Sequence, residues 1–136
     1  MAENITLEVV TPEKYVVSEE AQIVMAPGSL GEFGVLHGHT PFLTSLKVGR
    51  LHYRDTSGQE REMFVSGGFA EALPNCVTVL AESAERRREI DMDRAKAALE
   101  RAQNRLSQEH DETINYERAR GAMYRAIERI KLAETR

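Results

Sequence analysis

The chain has no tryptophan, a single cysteine (Cys76), and four prolines in 136 residues, the last of them Pro74. One cysteine excludes an intramolecular disulfide and any metal framework built on cysteine, so a reducing compartment is the simplest setting. No apolar stretch approaches the roughly 20 residues that span a bilayer, and the N-terminal MAENITLEVV lacks a basic region followed by an apolar run. Membrane association is therefore expected only through a protein partner. A basic excess is also missing: the formal net charge of -4 argues against nucleic acid as a ligand.

What is present divides near Ala84. Up to Ser83 the chain is strand-like, punctuated by Gly and Pro, and carries five basic residues against eleven acidic ones. From Ala84 on it has no proline, one glycine (Gly121), abundant Ala and Arg, and thirteen basic residues against eleven acidic ones. Two periodicities with opposite charge balance predict two modules, 1–83 and 84–136. A chain this short suits one core-bearing domain plus an appendage.

In the first module Ile5-Thr6-Leu7-Glu8-Val9-Val10 alternates at period two and Thr11-Pro12 breaks it. Further strands are expected at Tyr15–Val17, Ala21–Met25, Gly34–Leu36, Val48–Arg54, Arg61–Val65, Phe69–Ala72 and Val77–Leu80. Ser57-Gly58 and Pro74-Asn75 suit hairpin turns. Short strands at near-regular spacing without an intervening helix predict an antiparallel sandwich or barrel.

Glycines and histidines in this half invite functional readings. Gly28, Gly31 and Gly34 make a glycine-rich loop, yet no Gly-Lys-Ser/Thr follows and no helix opens there, so a phosphate cradle is not assembled. His37 and His39, two residues apart, share a strand face, and His52 could join them around a metal, but no spacing marks a site and surface or interface histidines fit better. Ser45 and Ser66 have no nucleophile-elbow context, so catalysis is not indicated. The segment Gly31 to Leu43 is different: Phe33, Leu36, Phe42 and Leu43 supply more apolar surface than a solvated loop needs. Two roles fit it equally, a partner-binding loop or a loop tucking its side chains into the sandwich.

The second module reads as two helices. Ala95, Ala98, Leu99, Ala102 and Leu106 follow helical spacing from Asp91 to Leu106, and Ala119, Ala122, Met123, Ala126, Ile127, Ile130 and Ala133 do so from Thr113 to Ala133. Asp91 suits an N-cap, and polar Ser107–Glu112 separates the helices, as in an antiparallel hairpin. At about 25 cal/mol per Å², alanine methyls bury little, so a permanent hairpin and one that opens both fit this seam. Arg94, Arg101 and Arg105 stand at i, i+7 and i+11, and Arg118, Arg125 and Arg129 repeat those offsets. Arg101 with Arg105, and Arg125 with Arg129, are like-charge i, i+4 pairs costing about 0.2–0.5 kcal/mol each without a counter-charge. An anion or an acidic partner would relieve that repulsion; so would Glu100, Glu109, Glu117 and Glu128 on a solvated face.

Several segments, in order along nearly the whole chain, resemble the epsilon subunit of the bacterial F-type rotary ATP synthase. They are Gly31-Glu32-Phe33-Gly34-Val35-Leu36, Gly38-His39-Thr40-Pro41, Leu46-Lys47-Val48-Gly49, Val65-Ser66-Gly67-Gly68-Phe69, Val77-Thr78-Val79-Leu80-Ala81 and Ile90-Asp91-Met92-Asp93-Arg94-Ala95. The resemblance implies an all-β N-terminal domain, a flattened ten-stranded β-sandwich, followed by a C-terminal antiparallel α-helical hairpin. It implies a non-catalytic rotor subunit on the cytoplasmic face of the bacterial inner membrane, bound to the gamma subunit and the c-ring, with Glu32, Phe33, His37, His39 and Phe42 at the rotor interface. It further implies a hairpin that, when extended, contacts a catalytic beta subunit and blocks ATP hydrolysis. ATP is the implied regulatory ligand of the folded hairpin, held by Ile90, Asp91, Arg94, Ala95, Arg101, Arg125 and Arg129, with Glu85 a weaker candidate and acidic Asp93 working against phosphate. The competing reading is a free adaptor whose basic hairpin binds an acidic protein or nucleic acid; an enzyme is the weakest, because no His/Asp/Glu set has the spacing of a site.

Overall fold

Ile5, Leu7 and Val9 point into the core and Thr6, Glu8 and Val10 away from it along β1 (Ile5–Val10), as period-two alternation requires. The protein, seen here as a computed structural model, is described for residues 3–108 and 111–135. It divides into two compact units, Met1–Arg86 and Arg87–Arg136.

The first unit continues with β2 (Tyr15–Gly28), β3 (Gly31–Val35), β4 (Phe42–Ser45), β5 (Gly49–Asp55), β6 (Glu60–Ser66), β7 (Phe69–Leu73), β8 (Cys76–Leu80) and β9 (Ser83–Arg86). The strand order is β4-β7-β8-β1-β2-β5-β6-β9, with β3 also on β2. The long β2 joins the two layers of the sandwich: its first half pairs with β1 and its second with β3 and β5. Between the layers lie Ile5, Leu7, Val9, Val24, Leu51, Tyr53, Met63, Val65, Val77 and Val79, each at most 1% exposed.

Three expectations are corrected. The sheet is mixed, because β1 runs parallel to β8, with Leu7 opposite Val77 and Val9 opposite Val79; this pair closes the layer between distant segments and needs no tight turn. Nine strands form among the described residues, where the resemblance implies ten, since Tyr15–Gly28 is one strand with a register shift between Ala21 and Ile23. The module boundary moves from Ala84 to the Arg86–Arg87 peptide, because Ala84 is a buried member of β9 opposite Val65.

The second unit begins with a 3-10 turn, Arg87–Glu89, and holds α1 (Met92–Leu106) and α2 (Tyr116–Glu134). Asp91 caps α1, its carboxylate accepting from the Arg94 amide at 3.0 Å, and Asn115 caps α2 by accepting from the Arg118 amide at 3.0 Å. The second helix therefore starts three residues later than Thr113. Thr113 is held in a turn instead, where Asp111 accepts from both its amide and its hydroxyl, interactions that keep the Asp111 carboxyl below its usual range. The two helices pack through buried Ala95, Ala102, Ala119 and Ala126, matching the alanine seam, and Leu132 is buried as well.

Candidate functional site

The Gly31–Leu43 residues run along β3, through a connecting segment and into β4. Phe33 on β3 and Phe42 at the start of β4 meet edge to face, 5.0 Å between centroids and 85° between planes, and both pack half-buried on the core. His39 stands against Phe42 at 4.7 Å, and its Nδ1 is buried without a hydrogen-bond partner. His37 Nε2 lies 2.9 Å from a Glu3 carboxylate oxygen, and Glu32 lies 3.8 Å from His52 Nε2. The segment is tied down where Gly38, at φ 85°, donates its amide to the Pro74 carbonyl at 2.7 Å. Phe33 and Phe42 tuck inward, while Leu36 and Leu43 stay 57% and 70% exposed. Among the described residues no group of three or more His, Cys, Asp or Glu side chains could hold a metal ion.

The pairing of four strands builds a second feature that no motif marked. Ser45 of β4 sits opposite Phe69 of β7, Phe69 opposite Leu80 of β8, and Leu80 opposite Val10 of β1. Alternation buries Ala70, Ala72, Val77 and Val79, which turns Phe69 and Leu80 outward, each 55% exposed. With Pro12, Leu46, Gly67, Gly68 and Ala81 they line an open, mainly apolar groove of about 710 Å³. Its legible signal was the strand Phe69-Ala70-Glu71-Ala72-Leu73, where large residues share a face that the alanines do not.

The hairpin candidates are spread along the helices. The Asp91 carboxylate is engaged in capping, Arg94 follows it exposed, and Ala95 is buried in the seam, while Ile90 is half-buried. Arg101, Arg105 and Arg118 are exposed; Arg125 and Arg129 are half-buried. Arg125 folds back over Gly121, where a Cβ would stand 3.2 Å from its Nη1. Glu128 pairs with Lys131 at 3.6 Å. Glu109, a suggested counter-charge, lies outside the described residues. Glu85 belongs to β9, opposite Phe64, and so to the other unit.

Comparison with known proteins covers both units. The ATP synthase delta/epsilon chain beta-sandwich domain matches residues 4–87, and the long alpha-helix domain of the same chain matches 88–134. The chain belongs to the ATP synthase epsilon-chain family. It is 64% identical to the ATP synthase epsilon chain of Desulforapulum autotrophicum over the full length of both, and 55% identical to that of Syntrophobacter fumaroxidans over 98% of each. Among solved structures it resembles a chain of the Euglena gracilis mitochondrial ATP synthase OSCP/F1/c-ring assembly, with a TM-score of 0.79 and 26% identity over 91% of this chain and 78% of that one. A chain of the Tetrahymena thermophila central stalk and c-ring shares the fold at a TM-score of 0.61 and 15% identity, covering 97% and 98%.

An epsilon chain is a non-catalytic subunit of its complex. The family's two domains meet between residues 87 and 88, one position from the Arg86–Arg87 division of the fold. Among the described residues no helix of this epsilon-family chain is long and apolar enough to cross a membrane.

Proposed function

We propose that this chain is a central-stalk subunit of a proton-translocating F-type ATP synthase, linking gamma to the c-ring on the cytoplasmic face of the bacterial inner membrane. The observation that carries this reading is the apolar groove of Val10, Phe69 and Leu80 on an otherwise acidic sandwich. Large side chains left half in water on adjacent strands mark a surface made for a partner, and gamma is the occupant assigned to it. Glu32, His37 and His39 supply polar groups suited to the polar loops of the ring.

The hairpin acts as a brake. Extended, its arginines engage an acidic segment of a catalytic beta subunit and stop hydrolysis; folded, it permits rotation. ATP binding through Asp91, Arg94, Arg101, Arg125 and Arg129 favours the folded form in proportion to its preference for that form. The small alanine seam supports this, since little apolar area holds the helices together.

Leu80→Asp tests the groove. Placing a carboxylate there should weaken binding to purified gamma by about tenfold or more, while circular dichroism stays unchanged. Undiminished binding would reject the groove as the gamma surface.

A further inference from the structure

The last strand of the sandwich is short and lies at an edge of the sheet. β9 has four residues and, among the described residues, pairs only with β6, and the chain leaves it directly for the helical unit. A short edge strand at the end of a domain is where local opening starts. Yet its final residue is held by more than its own ladder. Arg86, opposite Met63, sends Nη2 to the Val16 carbonyl of β2 at 3.2 Å and Nη1 to the Tyr53 hydroxyl of β5 at 3.5 Å. The Tyr53 hydroxyl in turn donates a hydrogen bond to Glu19 of β2. One guanidinium thus binds β9 to two strands it does not pair with, across a phenol bracketed by a carboxylate and a cation. A planar fork reaches both acceptors together, which a lysine ammonium does less well.

Tyr53 is 1% exposed while Arg86 is half-buried and Glu19 exposed, so the corner runs from the core out to the surface. Ala81 and Glu82, which line the groove, immediately precede β9, and the Glu82 amide donates to the Ser66 carbonyl at 3.2 Å. Unzipping β9 would therefore disturb the groove.

We propose that Arg86 is a stop that keeps movement of the hairpin from unzipping β9, setting the hinge at the Arg86–Arg87 peptide. This rests on the reading of the hairpin as mobile. The stop lets one unit swing while the other keeps its partner surface.

Hydrogen exchange on the full chain tests it. In the wild type, amides of Ser83–Arg86 should exchange at least tenfold more slowly than those of α1 and α2. Arg86→Ala should speed exchange in β9 tenfold or more with β1 and β8 unchanged within twofold, and Arg86→Lys should fall closer to the alanine variant than to the wild type. If Arg86→Ala fails to fold, Arg86→Lys and Tyr53→Phe give the same reading. A β9 unchanged within twofold, or one that accelerates together with β1 and β8, overturns the stop. Wild-type helices that exchange no faster than β9 reject the mobile hairpin instead, a result distinct from either.

Discussion

Gly68 stands so close to Leu80 that a Cβ on it would lie 1.9 Å from the Leu80 carbonyl oxygen and 2.9 Å from Ala81 Cα. Its φ of 97° is a second demand for glycine, and its carbonyl accepts the Leu46 amide at 2.8 Å. This approach sets Phe69 beside Leu80 and so shapes the groove. Gly68→Ala should cost about 3 kcal/mol or more in urea unfolding, whereas Gly58→Ala, at φ 85° with open space around it, should cost about 1 kcal/mol. Equal losses would refute the steric argument.

The β5–β6 turn is organised by Asp55. Its carboxylate accepts from the Ser57 hydroxyl and amide, the Gln59 amide and Arg61 Nε, at 2.6 to 3.1 Å. The Ser57 hydroxyl leads these in holding the group down at about 2. A depressed carboxylate contributes stability above its unfolded value near 3.8 and loses it as pH falls through the folded value. Between about pH 4 and pH 2 the wild type should lose more stability than Asp55→Asn, as read by urea midpoints; parallel pH profiles would contradict this.

Tyr53 shifts the other way. Burial first, then its hydrogen bond to Glu19, push the phenol up to about 12, with Arg86 opposing. A raised folded value means stability is full below the usual 10 and is lost as pH rises toward 12. Absorbance titration at 295 nm should show one late phase that Tyr53→Phe removes. Its persistence in the variant would assign it elsewhere.

Capping and ligand binding can be separated at Asp91. Asp91→Ala should destabilise the hairpin by about 1 kcal/mol in thermal melts, while Asp91→Asn keeps an oxygen on the Arg94 amide and should melt near the wild type. If Asp91 also meets ATP through its charge, Asn should weaken ATP binding without that loss of stability. Unaltered ATP binding in Asp91→Asn would remove its charge from the site.

The helices were legible because alanine at helical spacing and an Asp cap are local signals, and Asp91 caps as read. Thr113 misled because Asp111, two residues before it, offers a side-chain alternative to the helix and leaves Asn115 as the cap. β4 and β9 are four residues each, too short to show a period, and the parallel pair of β1 with β8 joins residues about 70 apart. Phe69 and Leu80 escaped notice for another reason: a hydrophobic residue turned outward has the same composition as one turned into the core. The Phe33–Phe42 contact shows the converse, rings that looked available turning partly inward.

The division of labour at Arg86 is tested most directly by ending the chain there. The cut falls after β9 and leaves all four of its residues in place. In a purified, reconstituted complex, a chain of residues 1–86 should bind gamma and assemble as the full chain does, and its ATP hydrolysis rate should rise above that of the intact complex. A complex that assembles but hydrolyses ATP no faster than the intact one would contradict the brake, and failure to assemble would contradict a sandwich sufficient for the rotor.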